Sequence, residues 1–109
     1  SDSTFLNAAI CIETNHSPHV CLEMTKAIER EMGRTQKSSD GVYHDRIIDI
    51  DILFYADEIV KTEELTVPHP LLAERDFVLR PLAEIAPDLV HPEKKVSVSE
   101  MLKNLEKKL

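Results

Sequence analysis

The sequence is poor in cysteine, in basic charge and in long apolar runs. Its two cysteines, Cys11 and Cys21, form neither a disulfide framework nor a metal-ligand spacing, so we expect reduced, packed thiols in a cytoplasmic protein. The sequence has thirteen Lys and Arg residues but twenty Asp and Glu residues. The resulting net charge of -7 argues against a general nucleic-acid or anionic-membrane surface. No apolar run approaches the ~18–20 residues of a membrane span, and no secretory leader is visible.

The residues that are present suit one globular domain over residues 1–109, because 42% of them are hydrophobic and 30% are charged. Strand and helix patterns alternate along the chain, which predicts an α/β (α+β) fold. The chain begins at Ser1 rather than at methionine, so we expect that a segment is missing upstream. The predicted elements, in chain order, are an interior strand at 5–13, a helix from the Ser17-Pro18 start to Gly33, strands at 47–55 and 59–67, helical pieces at 71–86, and a helix behind the Ser97-x-x-Glu100 capping box.

Two aspartates stand inside the isoleucine-rich stretch DRIIDIDILFY, residues 45–55. In a strand, Asp49 and Asp51 would point to the same face, with Cα atoms about 6–7 Å apart. At an effective dielectric near 20, like charges at that distance repel by about 2–3 kcal/mol. The pattern leaves two interpretations open: an amphipathic strand with an acidic polar face, or a pair of ligands for a hard cation such as Mg²⁺.

Two further segments carry residue types suited to binding phosphates. Residues 33–46, GRTQKSSDGVYHDR, lack periodicity, so they are either a solvated excursion or a lid over an anionic ligand. In PHPLLAERDF, residues 68–77, His69 lies between two prolines, and Arg75 and Phe77 follow it. Each of these three side chains alone is usually structural. Together with the acid pair and a basic loop, His69 and Arg75 form the set that phosphoryl transfer requires.

At these residues the chain resembles the 6-hydroxymethyl-7,8-dihydropterin pyrophosphokinases, enzymes of folate biosynthesis. The resemblance covers nearly the whole chain and runs through FLNAA (5–9), AIEREMGR (27–34), DRIIDIDILFY (45–55) and LTVPHPLLAERDFVLRPLAEIAPDLVHP (65–92). It implies a ferredoxin-like sandwich with a mainly antiparallel sheet packed by helices. It also implies transfer of the terminal diphosphate of ATP to the hydroxymethyl group of the pterin, with release of AMP.

The resemblance assigns roles to individual positions. It implies that Asp49 and Asp51 bind two Mg²⁺ ions that clamp the phosphates of ATP. The implied catalytic residues are Arg34, Arg46, Asp49 and Asp51. The implied ATP-binding residues are Glu29, Arg46, His69 and Arg75. The implied pterin-binding residues are Phe5, Asn7, Tyr43 and Phe77.

The sequence also departs from the family pattern. Gln36 stands where many members carry a second arginine, and the loop between Gly33 and Arg46 is slightly longer. The first strand, which ends in Gly-Ser-Asn, the helix after it and the second strand are missing, so the amino-terminal part of the sandwich should be absent. We therefore expect self-association of the shortened chain. A non-catalytic α/β binding or interaction module, which keeps the scaffold without the reaction, is the alternative to the enzyme.

Overall fold

The structure is a computed structural model that describes residues 6–35 and 48–109. Helix α1 spans Pro18–Thr35, strand β1 Val60–Lys61, strand β2 Thr66–Val67, helix α2 Asp76–Ile85 and helix α3 Val98–Glu106, and a 3₁₀ turn covers Leu72–Glu74. The predicted α+β class is confirmed, and the sheet found in the described residues has two antiparallel strands. No helix in these two ranges is long and apolar enough to cross a membrane.

The helix starts follow the capping signals of the sequence. The Oγ atom of Ser17 accepts a hydrogen bond from the Val20 N–H at 3.3 Å, and Pro18 is the first residue of α1. The Oγ atom of Ser97 accepts from the Glu100 N–H at 3.2 Å at the start of α3. Gly33 does not end α1, which continues to Thr35.

The buried core lies between the 3₁₀ turn, α2 and α3. Apolar residues spaced three apart on each helix share one face, as helical geometry requires. The core residues are Leu72, Leu79, Leu82, Val98 and Met101. Leu53 and Phe54 pack against this core, so the end of the aspartate-containing segment is fixed by the apolar interior. Each fully buried Leu or Val contributes about 1.5–3 kcal/mol of stabilisation.

Three predicted strands differ from what the structure contains. Residues 6–13 are in no strand, and the side chains of Leu6 and Ile10 are 94% and 84% exposed, because no neighbouring strand of the described chain pairs with them. Residues 48–55 also pair with no strand of the described chain. Their backbone is bonded instead to the side chain of Glu29, through Ile50, and to the backbone of His69, through Leu53. The predicted strand at 59–67 is instead a small hairpin: Val60 lies opposite Val67, and Thr62 and Leu65 close its turn through the Thr62 N–H and the Leu65 carbonyl at 2.9 Å. The polar Glu63-Glu64 pair supplies that turn.

Residues 71–86 are helical in pieces, as predicted. The 3₁₀ turn is separated from α2 by Arg75, and Pro81 lies inside α2. The peptide bond between Val67 and Pro68 is cis. The 3₁₀ turn links the segment that carries His69 to the start of α2.

Candidate functional site

The aspartate-containing segment, residues 48–55, is held by three other parts of the chain. The Ile50 N–H donates to Oε2 of Glu29 on α1 at 2.7 Å. The Leu53 carbonyl accepts from the His69 N–H at 2.9 Å. The hydroxyl of Tyr55 donates to the His16 carbonyl before α1. The two aspartates therefore sit on a segment that is fixed at Ile50, between them, and again at Leu53 and Tyr55.

The acid pair and His69 meet at this segment. Asp49 and Asp51 are both exposed, and Oδ2 of Asp51 lies 4.0 Å from Nε2 of His69. Nδ1 of His69 accepts from the Leu71 N–H at 3.2 Å, so the neutral ring carries its proton on Nε2, which faces Asp51. Because the backbone of His69 is bonded to Leu53, this approach is set by the main chain as well as by the side chains.

Glu29 has a structural contact that its predicted role does not include. Its side chain is half-buried and its Oε2 atom holds the amide of Ile50, the residue between the two aspartates. A carboxylate that accepts from a backbone N–H forms a strong, charge-assisted hydrogen bond. Glu29 thus fixes the spacing of the acid pair from the side of α1. The helical periodicity of α1 gave no signal for this contact, because its partner is 21 residues away.

Arg75 and Phe77 lie together where the 3₁₀ turn passes into α2. The guanidinium of Arg75 is 5.7 Å from the centre of the Phe77 ring, within the range of a cation–π contact. Phe77 is 47% exposed, so one part of its ring is open to solvent. The guanidinium covers part of that ring, and a planar ligand would stack on the exposed part.

The remaining predicted site residues are not brought to this site by the described structure. Asn7 is exposed in the segment before α1 and belongs to no helix or strand. Arg34 lies in the last turn of α1, but its side chain is outside the described part. Phe5, Tyr43 and Arg46 fall outside the described residues. So does the predicted lid from residue 36 onward, whereas its first residues, up to Thr35, belong to α1.

The acid pair has the chemistry that Mg²⁺ requires of a protein. Within residues 6–35 and 48–109, no three His, Cys, Asp or Glu side chains gather into a cluster that could hold a metal ion by themselves. Mg²⁺ usually takes only one or two protein carboxylates and completes its shell with water and substrate phosphates. Two exposed carboxylates on one anchored segment fit that requirement, because they leave most of the coordination shell to a nucleotide.

A second group of titratable residues surrounds His91, which the sequence pattern did not single out. The residue is 5% exposed, and its ring makes a T-shaped contact with the ring of Phe54, with ring centres 5.8 Å apart. Burial lowers the pKa of His91 below its ordinary value, the charge of Lys94 lowers it further, and the charge of Glu93 acts in the opposite direction. A hydrogen bond from Lys61 lowers the pKa of the Glu93 carboxyl. The only sequence signal was a His-Pro pair after an apolar run, which does not predict a site.

Comparison with known proteins matches the sequence of this chain to one family. The family model described as 7,8-dihydro-6-hydroxymethylpterin-pyrophosphokinase (HPPK) matches residues 1–87. A Porphyromonas gingivalis protein named 2-amino-4-hydroxy-6-hydroxymethyldihydropteridine pyrophosphokinase is 52% identical over 94 residues, which cover 85% of this chain and 63% of that protein. The Bacillus subtilis protein of the same name is 49% identical over 81 residues, 74% of this chain and 47% of that protein. Folic acid synthesis protein FOL1 of Dictyostelium discoideum is 44% identical over 102 residues, 94% of this chain and 15% of that protein.

The matched region contains every residue that the sequence assigned to the site. The family model extends from residue 1 to residue 87, which includes the acid pair, His69, Arg75 and Phe77. The chain spans less than two thirds of the length of each of these three relatives. The match is to a family and covers most of this chain, and the identities lie between 44% and 52%. The chain therefore belongs to the 7,8-dihydro-6-hydroxymethylpterin-pyrophosphokinase family.

Proposed function

We propose that this chain carries the metal-binding and nucleotide-binding part of a pterin pyrophosphokinase of folate biosynthesis. The observation that carries the proposal is the meeting of two distant segments: Asp51 lies 4.0 Å from His69, whose backbone is bonded to Leu53. Family membership and the names of the relatives support the same reaction. The substrates proposed are ATP and 6-hydroxymethyl-7,8-dihydropterin.

The proposed reaction is a transfer of diphosphate. The hydroxymethyl oxygen of the pterin attacks the β-phosphorus of ATP, and the bond between that phosphorus and the oxygen bridging to the α-phosphate breaks. AMP leaves with the electron pair of the broken bond, and the hydroxyl proton is released. The charge spread over the phosphate oxygens has to be balanced by groups that are already in place.

Asp49 and Asp51 are the residues that would hold Mg²⁺, and we propose two ions. Bound Mg²⁺ would neutralise phosphate charge and hold the phosphates in one geometry. Glu29 supports this role through the Ile50 amide, since that bond keeps the backbone between the two carboxylates in place. The like charges of the two aspartates then become favourable rather than costly.

His69 and Arg75 are proposed to act on ATP as hydrogen-bond donors. The Leu71 N–H occupies Nδ1 of His69, so only Nε2–H is available to a phosphate or ribose oxygen. The backbone of His69 lies between Pro68 and Pro70, which restrict its conformation and so lower the entropy lost when a ligand binds. Arg75 is always cationic and offers a planar fork of donors to a phosphate.

The proposed pterin contacts are Asn7 and Phe77. An amide such as that of Asn7 can both donate to and accept from the edge of a pterin, and the exposed part of the Phe77 ring can stack on its face. Phe5 and Tyr43 are proposed for the same substrate, and Arg34 and Arg46 for the phosphates, by resemblance alone. A lid over residues 34–45 is proposed from the aperiodic, Gly- and Ser-containing sequence of that segment.

We further propose that residues 1–109 form one partial domain that works in the cytoplasm and associates with itself. Self-association is supported by an apolar stripe on α1, formed by Val20, Met24 and Ile28, whose side chains are 44–48% exposed. These residues are four apart and so lie in one row on the helix surface. Large exposed apolar patches usually mark contact surfaces.

The test is Mg²⁺-dependent nucleotide binding and AMP formation, compared among Asn variants of three aspartates. Asp49→Asn and Asp51→Asn should each abolish turnover in any preparation that forms AMP, and should remove the Mg²⁺ dependence of ATP-analogue binding. Asp57→Asn is the matched control, because Asp57 is exposed in a turn a few residues further along the chain. Mg²⁺-dependent binding and turnover in the first two variants equal to the control would refute the assignment. Nucleotide binding by the wild-type chain without AMP formation, even when the pterin is present, would favour a non-catalytic module.

A further inference from the structure

A cleft of about 350 Å³ lies between the β hairpin, the residue 68–70 segment and the turn at residues 91–94. Lys61 and Thr66 line it from the hairpin, and Pro68 and Pro70 give it apolar walls. Ligand pockets in proteins commonly start near this volume, which suits a small molecule rather than a peptide. His69 also lines the cleft, so the cleft adjoins the segment that carries Asp51.

His91 offers one unused donor to this cleft. Its Nδ1 atom accepts from the N–H groups of Glu93 and Lys94, both at 3.1 Å. With Nδ1 accepting, the neutral ring carries its proton on Nε2. In the part of the chain that the structure describes, Nε2 has no hydrogen-bond partner, and it stays accessible to solvent, since no buried side-chain nitrogen or oxygen there lacks a partner. A donor that is accessible and unpaired can bind an acceptor atom that a ligand supplies.

The positive charges that line the cleft outnumber the negative ones. Nζ of Lys61 is bonded to Oε2 of Glu93 at 2.7 Å, so these two charges cancel locally. Lys94 has no ion-pair partner among residues 6–35 and 48–109. The lining therefore carries a net positive charge in a chain whose formal net charge is -7. A local positive site on an acidic protein selects anions at short range.

We infer that this cleft is a binding site for a small oxyanion, with one oxygen accepting from Nε2–H of His91 and another lying at the ammonium of Lys94. Phosphates and carboxylates have this chemistry, and the two proline walls leave space for a small apolar body attached to the anion. The oxyanion can be free phosphate or the phosphate of a nucleotide. The inference does not depend on the acid pair or on Mg²⁺, because neither aspartate lines the cleft.

The test is an NMR titration of the ¹⁵N-labelled 109-residue chain with inorganic phosphate, near neutral pH, without Mg²⁺ and at constant ionic strength. Saturable shifts should be confined to the amides of Glu93 and Lys94 and to Nε2 of His91, which is observed directly through its ring protons. Lys94→Met should weaken binding about two- to fivefold, as expected for one largely exposed charge. Lys95→Met is the matched control, because Lys95 is the next residue and does not line the cleft. It should leave binding unchanged.

A second arm with AMP distinguishes the source of the oxyanion. Tighter binding of AMP, with added shifts at residues 68–70, would assign the cleft to a nucleotide phosphate, and equal or weaker binding would assign it to the free anion. Absence of a saturable shift at His91 with both probes would overturn the inference, and so would an equal loss in the Lys94 and Lys95 variants. The titration uses neither Mg²⁺ nor turnover, so absence of anion binding would not contradict the proposed pyrophosphokinase activity. Absence of that activity would likewise not contradict anion binding in the cleft.

Discussion

Glu29 gives the sharpest test of how the acid pair is positioned. Its carboxylate accepts from the Ile50 N–H at 2.7 Å in a half-buried setting. Hydrogen bonds to charged groups contribute about 1.5–3 kcal/mol, and partial exposure lets water replace some of that. Glu29→Ala should therefore lower the free energy of unfolding by about 1–2 kcal/mol. Glu29→Gln keeps an acceptor oxygen without the charge, so its loss should be smaller.

The local consequence is more specific than the global one. If the Glu29 bond protects the Ile50 amide, its hydrogen exchange should be about 5–30 times faster in Glu29→Ala, the factor that corresponds to 1–2 kcal/mol. The measurement is residue-resolved hydrogen exchange by NMR, together with urea unfolding of the same variants. Glu23→Ala is the matched control, since Glu23 is an exposed carboxylate on the same helix. Unchanged exchange at Ile50, or an equal effect of the control, would refute this account of how the aspartates are held.

Two further predictions concern pH and assembly. The pKa of His91 is lowered in the folded chain, so as the pH falls the unfolded chain is protonated first, near pH 6.5. The free energy of unfolding should therefore be highest above that pH and should decline below it, towards the lowered pKa. Urea unfolding midpoints measured across this pH range should decline in wild type and in the control His16→Gln, and should change less in His91→Gln. Parallel profiles in all three proteins would contradict the prediction. For self-association, Met24→Gln should lower the molar mass measured by light scattering, whereas Lys26→Gln, on another face of α1, should not. A monomeric wild-type chain would dismiss that proposal.

The local features that the sequence predicted well depend on contacts a few residues apart. Ser17 and Ser97 start their helices because their side chains reach amides in the same turn. The helical pieces of residues 71–86 and the α+β class follow from short-range periodicity in the same way. The family assignment also needed only the linear order of the motifs, from FLNAA to the His69 and Arg75 segment.

The pairings between residues distant in the sequence were decided only by the tertiary structure. Alternation of apolar and acidic residues predicted a strand at 47–55, but a strand exists only if another backbone pairs with it, and residues 48–55 are instead held by Glu29 and His69. The same reason makes the apolar run at 6–13 an exposed segment rather than an interior strand. The fold also brings the turn that carries His91 against the β hairpin, where His91 and Lys61 line the same cleft, and no local pattern encodes that contact.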